Sequence, residues 1–331
     1  MGQSETIGVL FSSAGRRVEL LQLFRADAFA LGVRARIVAV DHQPATSAAC
    51  QAAERSAAVP RIDDPTYPDA VLKICEEEKI RLVIPLHDGE LETYARHRER
   101  FAESGVRIVV SGLEAVQVAR DKEITARRLA AAGVPVPRTA LTSDVLADPA
   151  GWSWPLIAKP RAGSASIGLH QVEDLPALTA ISHERPDYVI QERLLGREYT
   201  VNMFVDQLGR LRCAVPHQRL EVRGGEVSKG RTERHEGLCS IANRIVRALP
   251  GLAGPICFQA FVLTDGTVAV FEINARFGGG FPLAHRAGAA VPQWLIEESL
   301  GRECTASDEW RSGLTMLRYD AALYSQTAPT A

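Results

Sequence analysis

A change of sequence pattern near residue 135 constrains the fold more than any other feature of this chain. Before it, short apolar runs such as residues 80–86 alternate with segments of helical periodicity such as residues 88–102. This alternation predicts a parallel sheet with crossover helices. Residues 133–137, Gly-Val-Pro-Val-Pro, predict the end of a helix and an extended linker, after which hairpin patterns dominate. We therefore expect an α/β part followed by an α+β part.

The composition excludes several classes of protein. The 331 residues suffice for two domains of about 150 residues each. Lys and Arg total 38 against 40 Asp and Glu, and this net charge of -2 provides no built-in attraction for nucleic acid or an anionic membrane. No apolar run approaches the roughly 20 residues of a membrane span. The six scattered cysteines predict free thiols in a reducing compartment, so we expect a cytoplasmic protein.

A predicted hairpin in the last third of the chain carries the strongest chemical signal. Its turn is expected at Asp265-Gly266. A two-residue loop there places Gln259 opposite Glu272, and Asn274 lies on the same face because side chains alternate along a strand. Three hard oxygen donors without imidazole or thiolate suit Mg²⁺, which also shares substrate phosphates. A polar pair on a solvated sheet face is the alternative.

The residues of the second strand give this hairpin a family resemblance. Residues 271–280, Phe-Glu-Ile-Asn-Ala-Arg-Phe-Gly-Gly-Gly, resemble the metal-binding strand of the ATP-grasp superfamily, in particular the branch related to the carbamoyl phosphate synthase large subunit. The resemblance implies that Gln259, Glu272 and Asn274 hold two Mg²⁺ ions, with Mn²⁺ as an alternative metal. It also implies that Arg276 meets the ATP phosphates or an acyl phosphate.

An earlier strand and loop are similar to the phosphate lid of that superfamily. Residues 156–168 place Lys159 at the end of a predicted strand, before a loop of small residues. Such a lysine can reach a phosphate, and the backbone N–H groups of a small-residue loop can close over it. We expect Lys159, Gly163, Ser164 and Ser166 to bind ATP, with a plain flexible turn as the alternative.

Two further motifs are expected to bind the nucleotide. Residues 191–198 resemble the adenosine-binding strip of the superfamily, which implies that Glu198 binds the ribose and that Glu192 and Leu195 lie beside the base. Lys122 stands in the first turn of a predicted helix, where the helix dipole disfavours a cation. An anionic partner would offset this cost, so Lys122 is expected to contact the phosphates. A solvated surface lysine is the alternative.

The substrate residues are less closely specified. Arg16 and Arg17 follow the first predicted strand, where doubly wound sheets bind ligands, and they either clamp a carboxylate or begin a basic helix. Asp88, after another strand, and Gly279, in the glycine run, are further substrate candidates.

A second predicted hairpin carries two candidate catalytic residues in addition to Arg276. Arg219 and Lys229 lie on this hairpin, which turns on Gly224-Gly225. They are expected to reach the phosphates or an acidic substrate. Solvated surface charge is the competing interpretation.

The resemblance implies a pre-ATP-grasp parallel α/β domain at residues 1–115 and a two-subdomain ATP-grasp fold at residues 116–331, with a lid subdomain at about 140–190. The implied activity is ATP-dependent, ADP-forming ligation of a small carboxylate, expected to be an amino acid, to an amine through an acyl phosphate. Carbamoyl-phosphate-synthase-like phosphorylation of bicarbonate and a nucleotide-binding regulatory role without turnover stay open. We expect small-molecule partners, no nucleic acid and no membrane. The oligomeric state stays open, with a homodimer among the alternatives.

Overall fold

A computed structural model describes residues 5–163 and 167–325 of the chain, so Ser164 and Ser166 lie outside the described residues. The N-terminal part is a five-stranded parallel sheet with the order β3-β2-β1-β4-β5. Its strands are β1 (Thr6–Ser12), β2 (Arg34–Asp41), β3 (Arg55–Ala58), β4 (Ile80–Pro85) and β5 (Arg107–Ile108). The predicted parallel sheet is confirmed.

Helices cover this sheet and continue into the next part of the chain. They are α1 (Val18–Ala30), α2 (Ala48–Ala52), α3 (Tyr67–Glu77), α4 (Asp88–Glu103), α5 (Leu113–Arg120) and α6 (Lys122–Ala131). Nearly every residue of β1 and β4 is buried, as expected for a parallel sheet with both faces covered.

The order of the parallel strands reverses at β1, which pairs with β2 on one side and with β4 on the other. The loops that follow β1 and β4 therefore leave the sheet at one edge, on either side of a crevice. In open α/β sheets such a crevice at the carboxyl ends of the strands is where ligands bind.

A small antiparallel sheet follows, with the order β6-β9-β7-β8. Its strands are β6 (Thr139–Leu141), β7 (Leu156–Pro160), β8 (His170–Val172) and β9 (Tyr188–Glu192). Helices α7 (Thr142–Ala147) and α8 (Leu175–Glu184) cover it, and Val145, Leu156, Leu178 and Ile190 belong to a core of its own.

A six-stranded antiparallel sheet forms the rest of the described fold, with the order β14-β13-β10-β11-β12-β15. Its strands are β10 (Gly196–Val205), β11 (Leu211–Arg223), β12 (Glu226–Thr232), β13 (Gly254–Leu263), β14 (Val268–Asn274) and β15 (Thr315–Leu317). Its helices are α9 (Glu236–Ala248), α10 (Phe281–Ala287) and α11 (Val291–Ser299). Residues 193–195 alone separate β9 from β10, so these consecutive strands lie in different sheets.

Two hydrophobic cores join the parallel sheet to the six-stranded sheet. One contains Val83 of β4 and Phe258 of β13. The other contains Phe11 of β1, together with Phe204 of β10 and Trp294 of α11. Because both cores draw on both sheets, the relative position of the two sheets is set by buried apolar contacts. Among the described residues, no helix is both long enough and apolar enough to cross a bilayer.

The hairpin of β13 and β14 departs from the predicted turn. Leu263 N donates to Thr267 O at 2.8 Å, which leaves a loop of three residues instead of the predicted two. Gly266, the last residue of this loop, has a φ of 85°, as is usual for three-residue hairpin loops. The longer loop on its own would place Gln259 opposite a different residue.

A β-bulge at Phe271 restores the predicted pair. Ala260 pairs with Val270, whereas Gln259 pairs with Glu272, so Phe271 is the extra residue of β14. The pairing of Gln259 with Glu272 is therefore confirmed, although the predicted loop that led to it is wrong.

Candidate active site

A cleft of about 340 Å³ lies between the two antiparallel sheets, and we call it the inter-sheet cleft. A second cleft of about 330 Å³, the interdomain cleft, lies between α4 and α5 on one side and the end of β14 on the other. Lys122, Gly163 and Glu272 line both clefts, which therefore adjoin. The inter-sheet cleft also contains Lys159, Glu192, Glu198, Arg219 and Gln259, and the interdomain cleft also contains Asp88 and Asn274.

Lys159 lies near the end of β7 with its amine inside the inter-sheet cleft. Its Nζ donates to Gln191 Oε1 at 2.8 Å and to the Phe271 carbonyl oxygen at 3.5 Å. Burial lowers the pKa of Lys159 to about 8, while the nearby Glu272 carboxylate acts to raise it. A buried cation with only two acceptors is suited to bind an anion. The sequence did not predict that Gln191 accepts a hydrogen bond from Lys159. Only the pairing of β9 with β7 brings the two side chains together.

Lys122 begins α6 and reaches from the helix to the loop after β7. Asp121 is the N-cap of this helix, as its side chain accepts hydrogen bonds from Glu123 N and Ile124 N. Lys122 Nζ donates to Gly163 O at 2.7 Å. Burial lowers the pKa of Lys122, and the Glu272 carboxylate opposes that shift. The two lysines therefore share the inter-sheet cleft with Glu272, and the charge of Lys122 also lowers the pKa of Lys159.

Glu198 and Arg219 form an ion pair between the strands β10 and β11. Glu198 Oε1 lies 2.9 Å from Arg219 Nε, but the angle is not that of a hydrogen bond, and Arg219 Nε has no hydrogen-bond partner within the described residues. Arg219 also donates to the Gly225 carbonyl oxygen at 3.1 Å. Burial raises the pKa of Glu198, and Arg219 opposes this shift.

The two other residues expected beside the base differ in position. Glu192 is exposed, lines the inter-sheet cleft and accepts a hydrogen bond from Arg138 N at 3.3 Å. Leu195 is 64% exposed and does not line this cleft, in which its neighbour Leu194 takes part.

Gln259, Glu272 and Asn274 come together at the boundary of the two clefts. Asn274 Nδ2 donates to Glu272 Oε1 at 3.0 Å, and Arg276 Nη2 donates to Asn274 Oδ1 at 3.1 Å. Within the described part of the chain, the carboxamide of Gln259 makes no hydrogen bond. The set offers one carboxylate and two amide oxygens, which fits Mg²⁺ that keeps waters and shares phosphate oxygens.

Arg276 connects this set to the N-terminal sheet. Its Nη2 donates to Asp88 Oδ2 at 2.6 Å, and its Nη1 donates to the Phe277 carbonyl oxygen at 2.9 Å. Burial disfavours the charged guanidinium, but Asp88, Cys257 and Glu272 together outweigh burial and raise the pKa of Arg276. Arg276 Nε is buried without a hydrogen-bond partner among the described residues. The sequence named both residues but gave no reason to pair them.

Arg16 and Arg17 contact a residue that the sequence did not single out. Their Nη2 atoms lie 3.2 and 3.3 Å from the carboxylate oxygens of Glu226. A Cβ on Gly279 would lie only 2.7 Å from Glu226 Cδ, so a side chain at this position would displace the Glu226 carboxylate from its arginine partners. Arg318 completes the group: Nη1 lies 3.2 Å from Glu226, and Nη2 donates to Gly279 O at 2.7 Å.

Lys229 is not brought to either cleft. Its Nζ pairs with Glu221 Oε2 at 2.7 Å, and about half of each side chain is exposed. Successive side chains of β12 point to opposite faces, and Lys229 lies on the solvent face. We therefore leave it out of the site.

Two family models cover most of the chain. Residues 119–280 match the ATP-grasp domain, and residues 9–109 match the PylC-like N-terminal domain. Residues 119–280 belong to the ATP-grasp superfamily. The family resemblance of residues 271–280 is thus confirmed.

The sequence relatives of this ATP-grasp chain include two kinds of enzyme. A D-alanine--D-alanine ligase of Corynebacterium aurimucosum is 30% identical over 167 residues, which are 48% of this chain and 44% of the relative. A carbamoyl phosphate synthase large chain of Thermoanaerobacter sp. is 26% identical over 81% of this chain and 25% of the relative. The chain thus spans less than half the length of each of these relatives.

Solved ATP-grasp structures share the fold at low sequence identity. The biotin carboxylase domain of the Hydrogenobacter thermophilus 2-oxoglutarate carboxylase, solved with MgADP and bicarbonate, has a TM-score of 0.75 and 15% identity over 93% of this chain and 73% of that one. An L-amino acid ligase of Bacillus licheniformis has a TM-score of 0.71 and 18% identity over 95% of this chain and 79% of that one.

Proposed function

We propose that this ATP-grasp protein is an ADP-forming carboxylate–amine ligase that acts on small molecules, with amino acids as the expected substrates. The observation that carries the proposal is that the buried Lys122 and Lys159 line the inter-sheet cleft together with Glu272, where the two clefts adjoin. Two buried cations beside a hard oxygen set suit a metal-bound polyphosphate. The relatives are ligases and synthases, which supports the same reaction class.

The inter-sheet cleft suits ATP along its length. Lys159 and Lys122 provide cations for the phosphates, together with the loop at Gly163. Glu198, near the start of β10, provides a carboxylate for the ribose hydroxyls. The exposed Glu192, at the end of β9, lines the same cleft. The apolar wall that would contact the base is formed by Ile157, Leu194, Phe261 and Phe271.

Gln259, Glu272 and Asn274 would hold Mg²⁺. When bound, Mg²⁺ neutralises phosphate charge and aligns the attacking and leaving oxygens. The residues fit this role because the Gln259 carboxamide makes no hydrogen bond to any described residue, and because the Glu272 carboxylate interacts with the charges of both lysines.

The reaction needs positioning more than a reactive side chain. A substrate carboxylate oxygen attacks the γ-phosphorus of ATP, the bond to the β-phosphate oxygen breaks, and ADP leaves. The amine then attacks the acyl carbon and phosphate leaves, so no protein nucleophile takes part. Lys122 and Lys159 offset the charge that moves to the leaving oxygen, and Arg276 lies where the acyl phosphate would form.

The nucleotide product tests this proposal. The protein is incubated with ATP, Mg²⁺ and a panel of amino acids, with and without bicarbonate, and the nucleotides are separated by chromatography. We expect ADP and phosphate that depend on the amino acids. AMP with pyrophosphate would contradict the mechanism, and ADP release that depends on bicarbonate alone would favour carbamoyl-phosphate-synthase-like chemistry.

A further inference from the structure

We propose that Arg16, Arg17 and Arg318 bind a carboxylate group that is carried by one of the substrates but not consumed in the reaction. We call these three residues with Glu226 the arginine cluster. The inference rests on the proposed function, and it adds a substrate class: the acyl donor or the amine bears a second, non-reacting carboxylate.

The cluster joins three remote parts of the chain. Arg16 and Arg17 follow β1, Glu226 begins β12, and Arg318 follows β15. All three guanidinium groups lie within 3.2–3.3 Å of the one Glu226 carboxylate. Burial of Glu226 favours its neutral form, but the arginines outweigh burial and lower its pKa. Glu226 is therefore ionised, and it shows that the cluster accommodates a carboxylate.

The charge of the cluster is not balanced within the described residues. Three guanidinium groups face one carboxylate, which leaves an excess of two positive charges. Arg16 is 70% exposed and therefore solvated, but the side chains of Arg17 and Arg318 are only 20% and 26% exposed, so water screens their charges incompletely. Burial lowers the pKa of Arg17, the Glu226 carboxylate opposes this shift, and the charges of Arg276 and Arg318 add to it. An additional anion would remove this repulsion.

The position of the cluster relates it to the reacting end of the site. Arg17 follows β1, at the crevice where the strand order reverses. Its charge interacts with that of Arg276, which donates to Asn274 of the proposed metal set. Arg318 donates to Gly279, three residues after Arg276. The cluster and Arg276 are thus near neighbours, and the inference requires a substrate that reaches from one to the other.

The chemistry of the cluster favours a carboxylate over the nucleotide. Guanidinium groups bind carboxylates through two parallel N–H donors, which gives direction as well as charge. No member of the cluster lines the inter-sheet cleft, whose own cations are Lys122, Lys159, Arg193 and Arg219. The cluster is therefore distinct from the expected phosphate site.

The test uses compounds that differ only in the second charge. ADP release and binding to the MgADP-loaded protein are measured for glutamate against glutamine and for aspartate against asparagine. The variants are R17Q and E226Q, with R25Q as the control because Arg25 makes an ion pair with Glu54 away from both clefts. MgADP affinity is measured separately for each protein.

We expect the wild type to favour the charged member of at least one pair. R17Q should lose that preference by about 10- to 100-fold, the range for one charge-assisted hydrogen bond, without a change in MgADP affinity. E226Q should bind the charged member more tightly, since it removes the internal carboxylate, and R25Q should match the wild type.

Three results would overturn the inference: no preference for a charged member in turnover or binding, an equal preference in R17Q, or no gain in E226Q. Binding of a charged member through Arg17 without ADP release would keep the carboxylate site and contradict the proposed ligase activity alone.

Discussion

The inter-sheet cleft and the arginine cluster hold their charges in different ways. In the cleft, the charged groups belong mainly to strands of the two antiparallel sheets, and Glu198 and Arg219 lie on neighbouring strands. In the cluster, Arg17 follows β1 of the parallel sheet, whereas Glu226 lies on β12 of the six-stranded sheet. The neighbouring ion pair joins Arg276 to Asp88, which are 188 positions apart in the sequence. The cleft is thus set within the antiparallel sheets, whereas the cluster exists only when the parallel sheet packs against them. We infer that nucleotide binding and substrate selection are separable by mutation.

The largest expected effect is the loss of turnover in E272A. Removal of the only carboxylate in the proposed metal set should lower kcat by about 10²- to 10³-fold. Circular dichroism should show an unchanged fold, because Glu272 is only partly buried. E303A is the control, since Glu303 is exposed. Near-normal ADP release by E272A would contradict the assignment of Glu272 to the metal set.

K159M should damage the nucleotide side alone. Lys159 Nζ is buried against Gln191 and Phe271, so its loss removes a charged donor that the methionine cannot replace. We expect kcat/KM for ATP to fall by about 10- to 100-fold, with the KM of the amine unchanged. K73M, at an exposed lysine, is the control. A rise in the amine KM as large as the loss with ATP would contradict the separation.

D88N should damage the substrate side alone. The change removes one charge of the Asp88–Arg276 pair and leaves the guanidinium with a weaker acceptor. We expect turnover to fall by about tenfold, with the MgADP affinity measured by calorimetry unchanged. D63N, at an exposed carboxylate, should match the wild type. Equal losses in turnover and MgADP affinity would assign Asp88 to the nucleotide cleft.

The buried carboxylate of Glu90 makes the stability of the crevice depend on pH. Its carboxylate accepts hydrogen bonds from Ser13 after β1 and from Leu86 N and His87 N after β4, so it fixes both loops at the crevice. Burial raises the pKa of Glu90 above 4.5, although the hydrogen bonds from Tyr67 and the backbone oppose this. The folded state therefore holds the proton more tightly than the unfolded state.

This shift predicts the sign of a pH dependence. The stabilisation by protonated Glu90 is complete below a pH of about 4.5 and is lost as the pH rises toward the raised pKa. The wild type should thus lose up to about 1.4 kcal/mol of unfolding free energy per pH unit in this window, relative to E90Q, which stays neutral. Urea unfolding at a series of pH values measures the difference. A difference that grows with rising pH in favour of the wild type would contradict it.

The sequence predicted those parts of the site that depend on local pattern. The parallel sheet followed from alternating periods, and the position of Lys122 in the first turn of α6 followed from the helical pattern. The pairing of Gln259 with Glu272 was also predicted, but only because a longer loop and a bulge offset each other. The alternation of residue types along β14 does not predict the bulge, because no residue around Phe271 is characteristic of one.

Contacts between remote segments could not be predicted. Nothing local relates Glu226 to Arg16 and Arg17, because the contact depends on how the two sheets pack. Lys229 illustrates the same limit. The hairpin periodicity assigns its side chain to one face of the sheet, but it does not show which face the rest of the protein covers. Ser164 and Ser166 lie outside the described residues, so their expected phosphate contacts stay predictions, as do the domain boundaries.

The strand pairing within the hairpin of β13 and β14 has a consequence for deletions in its turn. The twelve residues between Gln259 and Glu272 form four cross-strand pairs, a loop of three residues and the extra residue at Phe271. Loss of one loop residue would leave a two-residue turn and the same strand pairing, so Gln259 would still face Glu272. A one-residue deletion in this turn should therefore retain ADP release, because the facing pair depends on the pairing of the strands and not on the length of the turn.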